Sequence, residues 1–221
     1  MFSSRTRSVI TLALIAVCLG MTASVFAADR PEDQQLVIQA RQTFDRFVQD
    51  PDFTWIRKNR QKALGYVIVP KVVKAAFILG GSGGHAVLVV KGDKGWMGPA
   101  FYNLGTASAG LQVGISNMEG VMFIMTKKGL DSLMSSSMKF GADASIAVGP
   151  VGSGAAGDAD FVVFMRAKGA YAGANINGTV ISPNDGLNKE HYGKDVSPID
   201  IVVKGSVKNK ADAPLLAAVA K

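Results

Sequence analysis

The sequence predicts an α+β fold, with N-terminal helices packed on a strongly twisted, mainly antiparallel, glycine-rich sheet that closes toward a barrel. Apolar residues recur at helical spacing over 32–49 and again over 52–64. From Gly65 the period changes, and runs of Val, Ile, Phe and Tyr are separated by glycine clusters, the pattern of antiparallel hairpins. One helix-forming stretch, Thr126 to Lys139, interrupts that pattern.

The chain opens Met-Phe-Ser-Ser-Arg-Thr-Arg, is apolar from Val9 to Ala23, and reaches Val25-Phe26-Ala27-Ala28. Basic, apolar, then small-x-Ala reads as a secretory signal peptide over 1–27, cut after Ala27. The apolar run is too short for a good membrane span. The expected destination is a bacterial envelope: secreted across the inner membrane, then periplasmic or outer-membrane-associated. The only cysteine, Cys18, lies in that run, and the bulky Val17 before it argues against lipid attachment. Residues 28–221 then form a single domain with no disulfide, thiolate metal site or cysteine nucleophile.

On the first helix, Leu36, Val37, Ala40, Phe44, Phe47 and Val48 form one stripe. Asp50-Pro51 reads as an N-cap followed by proline at the first helical position, opening a second helix over 52–64 that Gly65 closes. There Phe53, Ile56, Ala63 and Leu64 share a face, and Trp55 lies nearly opposite, beside Lys58 and Lys62. A tryptophan among lysines suits a membrane interface; the alternative is that it packs on the sheet or the first helix. Gly80 to Gly84 and Lys91 to Gly95 read as hairpin turns, and Asn177-Gly178 is the sharpest turn signal. On the inserted helix, Leu130, Leu133 and Met134 point inward. Strands are expected at 142–149, 160–167, 170–176, 179–182 and 199–204, a helical turn at 184–192, and a short helix or a frayed end over 209–220. Glycines at 105, 110, 114, 141 and 149 let strands bend and cross closely.

Removing 1–27 takes away Arg5 and Arg7 and no acid, so the formal charge becomes 22 − 17 = +5. From Phe53 to Gly92 there is no acid, but there are Arg57, Lys58, Arg60, Lys62, Lys71, Lys74 and Lys91. Such a surface attracts anions, and export leaves lipid headgroups and acidic proteins ahead of nucleic acid.

Catalytic chemistry is nearly absent. The two histidines, His85 and His191, have no zinc-ligand spacing around them and read as structural or solvated. Gly152-Ser153-Gly154 lacks the context of a nucleophile elbow. Gly80-Gly81-Ser82-Gly83-Gly84 is followed by a strand, not by the Lys-Ser/Thr and helix of a phosphate loop. Asp158-x-Asp160 and Asn184-Asp185-Gly186 with Glu190 lack calcium-loop spacing and read as solvated turns. No enzyme activity, metal or other cofactor is expected.

Several separated motifs carry a family likeness: Tyr66-Val67-Ile68-Val69-Pro70-x-Val72-x-Lys74-Ala75-x-Phe77; Gly80-Gly81-x-Gly83-Gly84-x-Ala86-Val87-Leu88; Gly95-Trp96-x-x-Pro99-Ala100-Phe101; Ala109-Gly110-Leu111-Gln112-Val113-Gly114; and Val148-Gly149-Pro150-Val151-Gly152. In order and approximate spacing they resemble the SYLF domain family, with the strongest motifs in 64–154. Ala76 stands where that family usually has glycine. The resemblance implies a non-catalytic domain that binds anionic phospholipids such as phosphoinositides, and in eukaryotic members contact with membrane remodelling and actin machinery. With an export signal, actin is not an expected physiological partner here.

The expected function is therefore binding of anionic, phosphoinositide-like headgroups through Trp55, Arg57, Lys58, Arg60, Lys62, Lys71 and Lys74. The partners are an anionic membrane surface and envelope proteins, not nucleic acid. A second version places an acyl chain in a cavity lined by Phe77, Leu79, Phe101, Met122, Phe123 and Phe164. The alternative function is a structural or protein-interaction module of the envelope without a lipid role. An outer-membrane barrel fits less well, because the strands read as short and glycine-broken.

Overall fold

The structure, a computed structural model, describes residues 30–76, 79–109, 114–149, 158–167, 170–171 and 176–221. The expected signal peptide and Cys18, together with Phe77, Gly110, Ser153 and residues 172–175, lie outside them.

Helix α1, Glu32–Gln49, buries Leu36, Val37, Ala40, Phe44 and Phe47, the stripe its spacing announced. The second helix is shorter than expected. Helix α2 is Thr54–Asn59, continued by a 3-10 turn, Arg60–Lys62. Asp50 caps a turn rather than a helix, its Oδ1 accepting from the Asp52 N–H at 2.9 Å. Phe53 is drawn into the core, where it stacks on Phe47 at 5.2 Å, and its backbone (φ −95°, ψ 53°) leaves the helical region. Gly65 does not end a helix but opens β1, Gly65–Ala76. A Cβ on Gly65 would stand 2.7 Å from the Val89 carbonyl, so close strand approach is what demands glycine there.

Strands β2 (Leu79–Gly92), β3 (Gly95–Ala109) and β4 (Gly114–Ile124) complete an antiparallel centre in the order β3-β2-β1-β4. These strands are long, 12, 14, 15 and 11 residues for β1 to β4, not short as the glycines suggested. The cluster Gly80–Gly84 is not a turn. It lies inside β2, paired with β1 on one side and β3 on the other. Gly84 faces a bulge at Pro70 of β1, where a Cβ would sit 2.3 Å from the Lys71 carbonyl. Proline has no N–H for a ladder, so the register shifts past it on both sides. The turn at Asp93-Lys94 is as expected, with Gly95 at φ +115°.

The rest of the chain extends this sheet. Helix α3 is only Lys127–Leu133, its first turn capped by Thr126 Oγ1 accepting from Gly129 N–H at 3.0 Å. Three serines, Ser135–Ser137, follow it, residues that favour turns over helix interiors. Met138–Lys139 is β5, not helix. The strand expected at 142–149 shrinks to β6, Ile146–Val148, and pairs in parallel with β7, Phe161–Ala167. Strand β8 is Ala170–Tyr171, and β9, Val180–Pro183, bridges β5 and β3. The Asn177-Gly178 turn forms, with Thr179 N–H on the Ile176 carbonyl and Gly178 at φ +83°. The whole is one curled sheet resembling a half-barrel.

Helix α4, Asp185–Tyr192, and α5, Ala213–Val219, fall where helical turns were expected. Residues 199–204 do not make a strand. Ile199–Val203 is a π-helical turn, and the adjacent Ile201 and Val202 are both buried. A one-faced strand cannot bury neighbours, whereas a tight helical turn does.

The sheet is covered on both faces. Tyr66, Ile68, Val87, Val89, Phe101, Val121, Phe123, Val162 and Phe164 pack under α1, α2, α4 and α5. Val67, Val69, Leu88, Tyr102, Met122, Ile124, Val163 and Met165 pack under α3, β5 and the π-helical turn. Two covered faces explain the nearly continuous apolar runs of β1, β2 and β7. Among the described residues no helix is long and apolar enough to cross a membrane.

Where β9 ends, a side chain replaces the next strand. Buried Asn188 of α4 accepts from Phe101 N–H at 2.9 Å and donates to the Phe101 carbonyl at 3.2 Å. Asn188→Ala strands a buried N–H, so chemical denaturation should show a loss of about 1–3 kcal/mol. A surface-like change below about 0.5 kcal/mol would contradict this account of the sheet edge.

Candidate functional site

An open cleft of about 470 Å³ lies between α1 and the bulged part of the sheet. Helix α1 contributes Gln39, Gln42, Thr43 and Arg46, the bulge Pro70 and Lys71, β4 Asn117, Met118 and Glu119, and β7 Arg166. The helix supplies these groups because they flank its buried stripe. The bulge supplies Lys71 because Pro70 breaks the ladder there.

Glu119 organises the cleft. It takes hydrogen bonds from Arg166 Nη2 at 2.8 Å and Nε at 3.2 Å, from Arg46 Nε at 3.3 Å and from Thr43 Oγ1 at 3.4 Å. Arg46 Nη2 also pairs with it and reaches Thr43 Oγ1 at 3.0 Å. Arg166 Nη1 holds Asp50 Oδ2 at 2.8 Å, and its guanidinium lies over the Phe47 ring, 5.0 Å from the centroid. Burial alone would raise the Glu119 carboxyl, but the hydrogen bonds and charges of Arg46 and Arg166 outweigh it and hold it below the usual range. Three cations, Arg46, Lys71 and Arg166, thus line the cleft against one carboxylate.

The residues expected to bind lipid are only partly brought together. Lys71 is in the cleft. Arg57, Lys58, Arg60 and Lys62 lie on α2 and the 3-10 turn behind it. Arg57 closes the preceding loop: its guanidinium donates to the carbonyls of Asp50 and Pro51 and, at 3.1 Å, to Thr54 Oγ1. Asp50 therefore ties both groups, giving its carbonyl to Arg57 and its carboxylate to Arg166. Lys58 and Lys62 are exposed, and Lys62 Nζ donates to Asn59 Oδ1 at 3.1 Å. Arg60 is half-buried, and its carbonyl accepts from Tyr66 OH at 2.7 Å. Burial of that phenol pushes Tyr66 up to about 12. Trp55 is half-buried with its ring against Phe123 and Phe164, at 5.6 and 5.4 Å. Lys74 lies in β1, and its side chain is outside the described residues. Arg46, Glu119 and Arg166 were missed. One signal was present, an arginine closing the apolar run Phe161–Met165.

The acyl-chain cavity does not form from the residues proposed for it. Phe101, Phe123 and Phe164 are buried on one face of the sheet and Met122 on the other, so they cannot line one space. Asp160 is no solvated turn. It is buried, accepts from Thr126 Oγ1 at 2.5 Å and from Ser145 N–H and Oγ at 2.9 Å, and lies 3.4 Å from Lys128 Nζ. Burial opposes its charge, yet these contacts bring Asp160 down to about 2. Asn184 is a helix cap, its Oδ1 accepting from Leu187 N–H at 3.0 Å. His85 lies 3.1 Å from Asn103 Oδ1, and His191 lies on α4 with its side chain wholly buried. Among the described residues no group of three His, Cys, Asp or Glu side chains is arranged so that it could hold a metal ion.

The family model described as Ysc84, Las17-binding protein actin regulator, matches residues 105–221. Two of the five motifs, Ala109–Gly114 and Val148–Gly152, fall in that span. The chain is 26% identical over 158 residues to LAS seventeen-binding protein 3 of Saccharomyces cerevisiae, covering 67% of this chain and 34% of that one. It is 24% identical over 149 residues to human SH3 domain-containing YSC84-like protein 1, covering 64% and 43%. It is 26% identical over 141 residues to SH3 domain-containing protein PJ696.02 of Schizosaccharomyces pombe, covering 59% and 33%. The chain thus spans between a third and less than half of the length of these relatives.

Proposed function

The chain belongs to the Ysc84 (SYLF) family of Las17-binding protein actin regulators, and from that premise we propose that it is a non-enzymatic module that binds anionic phospholipid headgroups. The observation that carries this reading is the cleft in which Lys71 stands beside Arg46 and Arg166. Phosphate oxygens suit guanidinium and ammonium donors, and the amides of Gln39, Gln42 and Asn117 suit the hydroxyls of a headgroup. Lys58 on α2 and Lys62 on the 3-10 turn that continues it are exposed and supply long-range attraction to an anionic surface. The export segment read over 1–27 puts this surface in the periplasm or at the outer membrane.

Co-sedimentation with phosphatidylcholine vesicles, with and without phosphatidylglycerol or a phosphoinositide, tests the reading. Lys58→Glu with Lys62→Glu should weaken binding to anionic vesicles at least about tenfold at low salt, since each cation near such a surface is worth about 1 kcal/mol. Lys71→Glu should weaken it further, and high salt should abolish the difference. Binding that salt leaves untouched would refute the electrostatic mechanism.

A second reading, a protein-interaction module without a lipid role, is favoured by the name of the Saccharomyces cerevisiae relative and by the family's description, both of which speak of binding Las17. Absence of binding to every vesicle would select it.

A further inference from the structure

Away from the cleft, three ionisable side chains are buried together where α1, α4 and the 3-10 turn Lys210–Asp212 meet. His191 Nδ1 is 2.7 Å from Asp33 Oδ2 of α1, and His191 Nε2 is 2.8 Å from Asp212 Oδ1 of the turn. The three side chains are 0%, 4% and 3% exposed. Asp33 Oδ1 and Asp212 Oδ2 have no hydrogen-bond partner among the described residues. From β3 the apolar ring of Phe101 faces the imidazole, at 5.1 Å, and from α4 itself Tyr192, at 4.8 Å. Asn209 Nδ2 donates to the His191 carbonyl at 2.9 Å.

Proton counting makes this group unusual. Each short N···O gap needs one hydrogen in it. A neutral imidazole carries only one N–H, so with both carboxylates ionised its other nitrogen would present a lone pair to a carboxylate oxygen. Both links hold only while the trio carries two protons in those gaps, most simply as imidazolium between two carboxylates. Loss of one proton breaks one link in a site with no water-facing surface to absorb the repulsion.

We propose that Asp33, His191 and Asp212 form a proton-operated latch that seats the N-terminal part of α1 and, through that helix, governs the cleft. The coupling is mechanical. Asp33 lies at one end of α1, and Gln39, Gln42, Thr43 and Arg46 on the same helix wall the cleft. As a regulation of binding, the latch rests on the headgroup reading; as a hold on α1, it does not.

The sign of the response follows from the trio. Burial alone disfavours the imidazolium, but the hydrogen bonds and charges of Asp212, then of Asp33, outweigh it and hold His191 above the ordinary histidine range. Burial also raises the Asp212 carboxyl, against the pull of His191. A raised folded value stabilises fully below the unfolded one and is lost as pH rises through the folded one. The latch therefore opens on the alkaline side. The carboxylates of Glu119 and Asp160, held low, weaken the fold only as pH falls.

The test follows both histidine ring signals by NMR on the whole protein, with His85→Asn to assign them. Amide exchange over residues 33–49, corrected for intrinsic rates, and vesicle co-sedimentation are measured over the same pH range. The expected result is a His191 transition above about pH 6.5, with protection of α1 falling at least about tenfold across it and phosphatidylglycerol vesicle binding falling in step. Asp212→Asn keeps an acceptor but removes a charge, so the transition should move to lower pH by about a unit or more. His191→Gln should leave α1 unprotected at every pH. Titration of His191 with flat α1 protection, or an unmoved midpoint in Asp212→Asn, would overturn the latch. Protection that falls while vesicle binding stays constant would support the latch and sink the headgroup reading of the cleft.

Discussion

Replacing Arg166 by alanine should cost about 3–5 kcal/mol of folding stability, the usual result of removing one partner from a largely buried ion pair. The Arg166 side chain is 11% exposed and engages two carboxylates that are themselves 15% and 19% exposed. Without it, Asp50 loses its ion pair, Glu119 keeps only Arg46 and Thr43, and Phe47 loses the cation over its ring. Arg166→Lys should recover only part of the loss, because an ammonium lacks the planar fork that reaches Asp50 Oδ2 and places two hydrogen bonds on Glu119 Oε1. Chemical denaturation over a pH series checks the origin of the effect. Glu119 stabilises above its unfolded value, and that contribution is lost as pH falls through its lowered folded value. The gap between parent and variant should therefore narrow in acid; a gap independent of pH would trace the loss to packing instead.

Phe123→Ala should be comparably damaging, about 3–5 kcal/mol, because a fully buried aromatic leaves a cavity as well as lost transfer energy. Phe123 is the hub of the first core. Its ring meets Tyr66, Trp55 and Phe164 edge-on, at 5.2, 5.6 and 5.8 Å. Trp55 is only half-buried, so it depends on Phe123 and Phe164 for its position. In a Trp96→Phe background, removal of Phe123 should lower the melting temperature and shift Trp55 emission to the red. Unchanged emission would mean that Trp55 is placed by solvent and not by the sheet.

The first helix, the turns at Asp93-Lys94 and Asn177-Gly178, the helices at 185–192 and 213–219, and β7 were all legible in the sequence, because each is set by local chemistry. Turn residues, caps and the stripe of Leu36, Val37, Ala40, Phe44 and Phe47 act through neighbours a few positions away. Lys71 was legible as a candidate because an acid-free stretch contains it. The family resemblance was legible too, since its motifs are runs of neighbouring residues.

What sequence reasoning misplaced depended on distant partners. The glycines of 80–84 looked like a turn, but two flanking strands, one with a carbonyl 2.3 Å from a would-be Cβ, make them strand. Residues 199–204, rich in Ile and Val, were expected to be a strand, but 199–203 coil because Ile201 and Val202 both find apolar cover. Composition and local periodicity by themselves determined a cationic, glycine-rich α+β chain. Only the tertiary structure decided that Arg46, Lys71 and Arg166 share one cleft around Glu119, and that His191 lies between two aspartates 158 and 21 residues away. Ion pairing and burial act through space, and a linear sequence does not order residues by distance in space.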